Sequence, residues 1–333
     1  MADSDIVRAD NVGNVQLITH THNLRTAGTK GGYIMNAYEK VTARIIDDIQ
    51  KNGKLPWEQP WVTLYSAAVS HTTGKRYSIL NSMLCGGVGE FLTFNQAKKE
   101  GGHVKKGAHG RPICFYKQTA WKQEDDETGE ITVKMIPVLK SYTVFSIDDC
   151  EGIDRKHAKE DAVLPASPAE IDSKAEAIID AYLMREGIQR REGGESAYYR
   201  SADDSVTIPE RERFATQAGY YSTIFHELCH STGKEGRLSR KLGNKFGSPA
   251  YAREELVAEI GSAMILHTLG METDQTERNN SAYVQSWLRA LQDDPKMIVW
   301  AASRAEKAAK LVMGIYDQQE QEIEEQEGDQ TAA

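Results

Sequence analysis

Several protein classes are excluded by what this chain lacks. No stretch approaches the ~20 apolar residues of a membrane span, and the N-terminus has no apolar signal region. The 333 residues include only four cysteines, Cys85, Cys114, Cys150 and Cys229. None forms a C-x-x-C pair, so neither a zinc ribbon nor a disulfide framework is indicated. A soluble, cytoplasmic protein with reduced thiols and no membrane contact is expected. No internal repeat is found. Excess positive charge is missing too: the formal charge of −9 argues against a surface that binds nucleic acid everywhere. The charge is unevenly spread. Seven acids and no Lys or Arg lie between Asp317 and Ala333, and without them the rest carries −2. That composition predicts a disordered acidic tail over 317–333.

Histidine is also sparse, with nine in the chain, yet two stand four residues apart in His226-Glu227-Leu228-Cys229-His230. On a helix, residues four apart share a face, so both imidazoles can reach one cation. Glu227 is offset by one position and can reach a water on that cation. Zn²⁺ would lower that water's pKa to about 7, which is the machinery of a metallopeptidase. The bare pattern also arises by chance on surface helices. Here Ile224, Phe225 and Leu228 supply an apolar side, and Gly233 is a candidate stop. Cys229 faces elsewhere on the helix and reads as packing.

A third ligand is sought on a second helix over 249–269, with Ser248 as N-cap, Pro249 at its first position and Gly270 at its end. Glu255 is the favoured ligand and Glu254 the alternative. Glu259, one turn beyond Glu255, is the candidate partner for a ligand histidine's other nitrogen. A solvated acidic face suits Glu254 better than Glu255 or Glu259, because Leu256, Ile260 and Met264 turn this helix toward a core.

Length favours two domains. The pattern predicts an α+β protein: a flexible extension over 1–34, a first domain over 35–153, a linker over 154–166 and a second, mainly helical domain over 167–316. Tyr38, Val41, Ile45 and Ile49 mark an opening helix. Candidate strands are 113–117, 131–135 and 141–147, with a loop over 124–129. Ser167-Pro168-Ala169-Glu170 is a capping box for a helix that ends at Gly187. Residues 198–200 and 206–208 read as a hairpin, and 281–292 and 298–315 as closing helices.

The first domain interleaves rings and cations: Trp57 and Trp61, then Lys75-Arg76-Tyr77, then Lys105-Lys106 within a Gly-rich stretch. A single-strand binding surface needs rings for bases and lysines for phosphates. Each piece has a packing alternative, since a lone Trp is usually core.

The chain resembles the ArdC family of plasmid- and phage-borne antirestriction proteins, whose N-terminal domain also occurs in TraC-type plasmid primases. The resemblance covers about 35–316. It rests on Pro56-Trp57…Pro60-Trp61, Tyr77-Ser78-Ile79-Leu80-Asn81, Leu92-Thr93-Phe94-Asn95-Gln96-Ala97 and Gly101-Gly102-His103-Val104-Lys105-Lys106-Gly107 in the first domain. In the second it rests on Tyr221-Ser222-Thr223 before the H-E-x-x-H, Thr232-Gly233, Arg237-Leu238 and Tyr251…Glu254-Glu255-Leu256. It implies a single-stranded-DNA-binding domain joined to a zincin-like metallopeptidase domain that shields mobile DNA from host restriction. The expected cofactor is Zn²⁺ on His226, His230 and Glu255, with Glu227 as base. The expected partners are single-stranded DNA and, as peptidase targets, host restriction-modification proteins. The competing reading is a non-catalytic DNA-coating protein whose zincin domain is structural or regulatory.

Overall fold

Asn36 starts the first helix. Its side chain accepts from the Glu39 N–H, and Glu39 accepts from the Asn36 N–H at 2.9 Å, closing a capping box. Helix α1 (Ala37–Asn52) then buries Val41, Ile45 and Ile49 and ends at Gly53 in the left-handed region. The computed structural model describes residues 35–65, 68–124, 131–157, 167–242, 245, 247–271 and 281–316. The expected extension 1–34, the acidic tail 317–333 and most of the linker and of the 124–129 loop lie outside them.

A four-stranded sheet follows in the order β1-β2-β5-β4. β1 (Ala68–Ser70) runs parallel to β2 (Gly89–Thr93), while β5 (Ile131–Ser146) is antiparallel to both β2 and β4 (Arg111–Glu124). The two strands expected over 131–147 are one. Pro137 pairs with Gln118 beyond the reach of β2, so it interrupts no three-strand ladder. Helices α2 (Ile79–Cys85) and α3 (Phe94–Lys99) flank β2, and β3 (His103–Val104) pairs with β6 (Cys150–Glu151).

The second half opens with α4 (Pro168–Glu186), capped by the Ser167 and Glu170 box and ended by Gly187. A small sheet has the order β7-β9-β8: β7 (Gln189–Glu192), β8 (Tyr198–Arg200) and β9 (Ser205–Ile208). β8 and β9 form the expected hairpin, with Asp204 at φ 49 in its turn. β7 was not legible, because Gln-Arg-Arg-Glu has no apolar alternation. Helices α5 (Gln217–Ser231), α6 (Pro249–Thr268), α7 (Ser281–Asp293) and α8 (Met297–Val312) complete the fold.

The two domains of this α+β protein share one continuous core. Val41, Ile45 and Trp57 from the first join Tyr182, Phe225, Leu256 and Leu291 from the second. Polar links cross as well: Thr42 donates to the Pro295 carbonyl at 2.7 Å, and the Ile79 N–H donates to Glu306 at 3.0 Å. At the centre, α6 passes close to α5. A Cβ on Gly261 would stand 2.8 Å from Cys229 Sγ, so glycine there sets the separation of the two helices that build the site.

Candidate metal centre

Thr216 caps α5 by accepting from the Gly219 N–H. Tyr221, Ile224, Phe225 and Leu228 are fully buried, which turns His226 and His230 toward α6. Ser262 Oγ donates to the Ser222 carbonyl at 2.9 Å, while Glu254 lies beside His230. The two helices are therefore antiparallel at the site.

The ring nitrogens converge. His226 Nε2 and His230 Nε2 stand 3.1 Å apart, and each is 3.5 Å from an oxygen of Glu255. All three ligand atoms lie within 4.8 Å of one another. Burial pushes the Glu255 carboxyl up, but its contacts with His226 and then His230 outweigh that and hold it well below the usual range. Burial pulls His230 down, yet Glu254 and Glu255 override it and raise it to about 10. Such a donor set suits a cation, because one ion can take the lone pairs of both nitrogens and the carboxylate together. Cys229 is fully buried and its thiol is pushed up to about 12, so it packs rather than ligates.

The remaining acids take other places than expected. Glu254, read as the best fit to a solvated face, is buried. Arg240 donates to both its oxygens at 2.9 and 2.8 Å, and the same carboxylate stands 3.2 Å from His230 Nδ1. Arg240 also donates to the Cys229 carbonyl and to Thr232 Oγ1, each at 2.8 Å, which ties it to the end of α5. This is the supporting position that the sequence reading gave to Glu259. At His230 Nδ1 the partner is Glu254, and His226 Nδ1 has no hydrogen-bond partner among the described residues. On α6, position 254 rather than 259 comes level with His230.

Glu227 Oε2 accepts the Tyr199 N–H at 2.8 Å. Tyr199 lies mid-β8, and β8 has a strand neighbour only on its β9 side among the described residues. The Tyr199 hydroxyl donates to Asp204 at 2.8 Å, and Arg237 donates to both oxygens of Asp204 at 3.0 and 2.7 Å. Arg237 also bonds the Ser231 carbonyl next to His230, at 2.9 Å. Sequence reasoning missed Tyr199, Asp204, Arg237 and Arg240 in these roles. Their partners lie 5 to 33 residues away, and no helical or strand spacing links them.

The residues expected to touch DNA divide. Trp57 is fully buried with its ring edge-on to Trp287 at 6.0 Å, and half-buried Trp61 packs on the same core. Tyr77 is buried between Phe91 and Phe115. Trp57 and Tyr77 thus serve the fold and present no face to a base. The cations Lys75, Arg76, Lys105 and Lys106 are exposed.

Two family models match in succession: the N-terminal domain of anti-restriction factor ArdC over residues 35–145, and a zincin-like metallopeptidase over residues 175–304. Fold and site therefore define a zincin-like domain preceded by an ArdC-type N-terminal domain. The metal-free crystal structure of the antirestriction ArdC protein from plasmid R388 is 35% identical with a TM-score of 0.59, covering 84% of this chain and 97% of that one. Its Mn(II)-bound form gives 33% and 0.60, covering 84% and 98%. Two DNA primases TraC of Escherichia coli are 33% and 34% identical over 86% of this chain. The match spans only 20% and 28% of those primases. Protein y4eC of Sinorhizobium fredii is 32% identical over 82% of this chain and 90% of its own length. The chain belongs to the ArdC family of antirestriction proteins. No helix among the described residues is long and apolar enough to cross a membrane.

Proposed function

We propose that this protein protects incoming mobile DNA from restriction by binding single-stranded DNA, and that it carries a metal-dependent peptidase-type site. Family membership supports the antirestriction role. The likeness to TraC primases and the exposed cations of the first segment support DNA binding.

The observation that carries the second part is the convergence of His226 Nε2, His230 Nε2 and Glu255 within 4.8 Å, with Glu227 beside them. The Mn(II)-bound R388 relative argues for a divalent ion, and the two-histidine, one-carboxylate set suits Zn²⁺. His226, His230 and Glu255 would hold the ion, and when bound it supplies Lewis acidity and a water of lowered pKa. Glu227 is the general base, available once its carboxylate leaves the Tyr199 N–H. Glu254 takes the His230 Nδ1 proton side and keeps Nε2 as the donor atom. The open side of β8 offers Tyr199 as a backbone partner for an extended peptide. Host restriction-modification proteins are the peptide targets to test first.

Replacing Glu227 by Gln removes the base and keeps the ligands. The expected outcome is retained metal, retained fold and lost protection in a restriction-proficient recipient. Protection at full strength would defeat the peptidase reading and leave DNA coating as the function.

A further inference from the structure

The exposed cations of the first segment have lost their expected rings, since Trp57 and Tyr77 are core. Exposed rings remain in this segment, among them Tyr65, Phe94 and Tyr116. Phe94, the first residue of α3, is 55% exposed and belongs to none of the buried clusters. Its backbone is well fixed. Thr93 accepts from the Gln96 N–H, and Gln96 accepts from the Thr93 N–H at 2.8 Å. Lys98 follows one turn later on the same side of the helix.

A small core joins this helix to the lysine turn. Ala97 of α3 packs with Leu92, Ile147 and Cys150, and Val104 of β3 packs against the same cluster. Lys105 and Lys106 follow directly. Gly102 makes the junction tight, because a Cβ there would stand 2.5 Å from the Glu151 carbonyl.

Several acids of this rim have partners. Glu100 pairs with Lys156 at 2.8 Å and with buried His71 at 3.0 Å. Glu151 pairs with His103 at 3.3 Å, and Asp148 with Arg155. No carboxylate pairs with Lys98, Lys99 or Lys106 among the described residues. The rim therefore offers an unmatched positive edge around an uncovered ring, which is the chemistry of a single-stranded nucleic-acid platform.

We propose that Phe94 is the base-stacking residue of this protein, flanked by Lys98, Lys99, Lys105 and Lys106 as phosphate contacts. The inference rests on the single-stranded-DNA reading and assigns that reading to one face. Tyr116 is also exposed, but its hydroxyl lies 3.3 Å from that of Tyr38.

The test uses the full chain and a fluorescein-labelled oligothymidylate, read by anisotropy. Phe94→Ala should weaken binding roughly 5- to 150-fold, the range of one lost base stack. Its thermal midpoint should not move, because the ring supports no core. Phe94→Trp should keep the affinity and add tryptophan emission that the oligonucleotide quenches. Wild type that binds while Phe94→Ala binds equally well overturns the assignment and leaves DNA binding standing. Wild type that fails to bind at low salt overturns both.

Discussion

Between α5 and α6, buried polar side chains are held by one another. Arg240 holds Glu254, Glu254 lies on His230, and His230 converges with His226 on Glu255. In the first segment the conspicuous side chains are rings, and they are held by apolar neighbours: Trp57 by Trp287, Tyr77 by Phe91 and Phe115. A buried polar group needs a specific partner, so its presence inside the fold signals a network. A buried ring needs only volume and contact, so its residue type says nothing about a ligand. The same lesson reverses at the surface, where a ring without a core is the informative one.

The largest effect that sharpens this contrast lies at Glu254. Its partner Arg240 keeps only 3% of its side chain exposed. Glu254→Ala strands that guanidinium and should cost about 3–5 kcal/mol of stability, the penalty of a half-removed buried pair. His230 loses its support in the same step, so metal affinity should fall roughly 10- to 100-fold. Glu255→Gln should remove metal binding with a small change in stability, since Glu255 is more exposed. Urea unfolding and metal titration separate the two. If the two variants exchange phenotypes, the third ligand is Glu254.

The shared core gives the next effect. His267 on α6 is buried, with Nδ1 3.3 Å from the Val62 carbonyl of the first segment. Burial holds it down at about 4, against an ordinary value of 6.5, with the carbonyl pulling weakly the other way. The folded protein therefore keeps His267 neutral while the unfolded chain takes up a proton. Stability is intact above pH 6.5 and is lost as pH falls from 6.5 to 4, after which this group adds no further slope. At 1.36 kcal/mol per pKa unit the loss approaches about 3 kcal/mol. Thermal midpoints of wild type and His267→Gln between those limits should converge toward the acid end. Parallel curves would remove His267 as the source.

Much of the fold was legible because its signals are local. Ser167 and Ser248 mark helix starts through side chains that cap within three residues, and Gly53 and Gly187 mark ends through left-handed backbone. The spacing of His226 and His230 was enough to put both rings on one face. What was hidden depends on distance along the chain. Arg240 meets Glu254 14 residues away, and Tyr199 meets Glu227 across 28. The fate of Trp57 was settled by Trp287, which no pattern near residue 57 announces. β7 escaped because its partner β9 supplies all the apolar character of that pair.

The smallest effect tests the cations that remain at the surface. Each phosphate neutralised on a single strand contributes about 0.7 to the slope of log affinity against log salt. Lys106 is exposed without a carboxylate partner among the described residues, and should contribute that full amount. Lys105 donates to the Asp148 carbonyl at 2.9 Å, so part of its reach is already spent inside the fold. Lys106→Ala should therefore flatten the slope by about 0.7, and Lys105→Ala by less. The double variant should lie below about 1.4, the value for two independent contacts. Equal single effects would mean that Lys105 leaves Asp148 when DNA binds, and the turn would then rearrange on contact. An unchanged slope in the double variant would move the phosphate path away from this turn and detach it from the small core that carries α3.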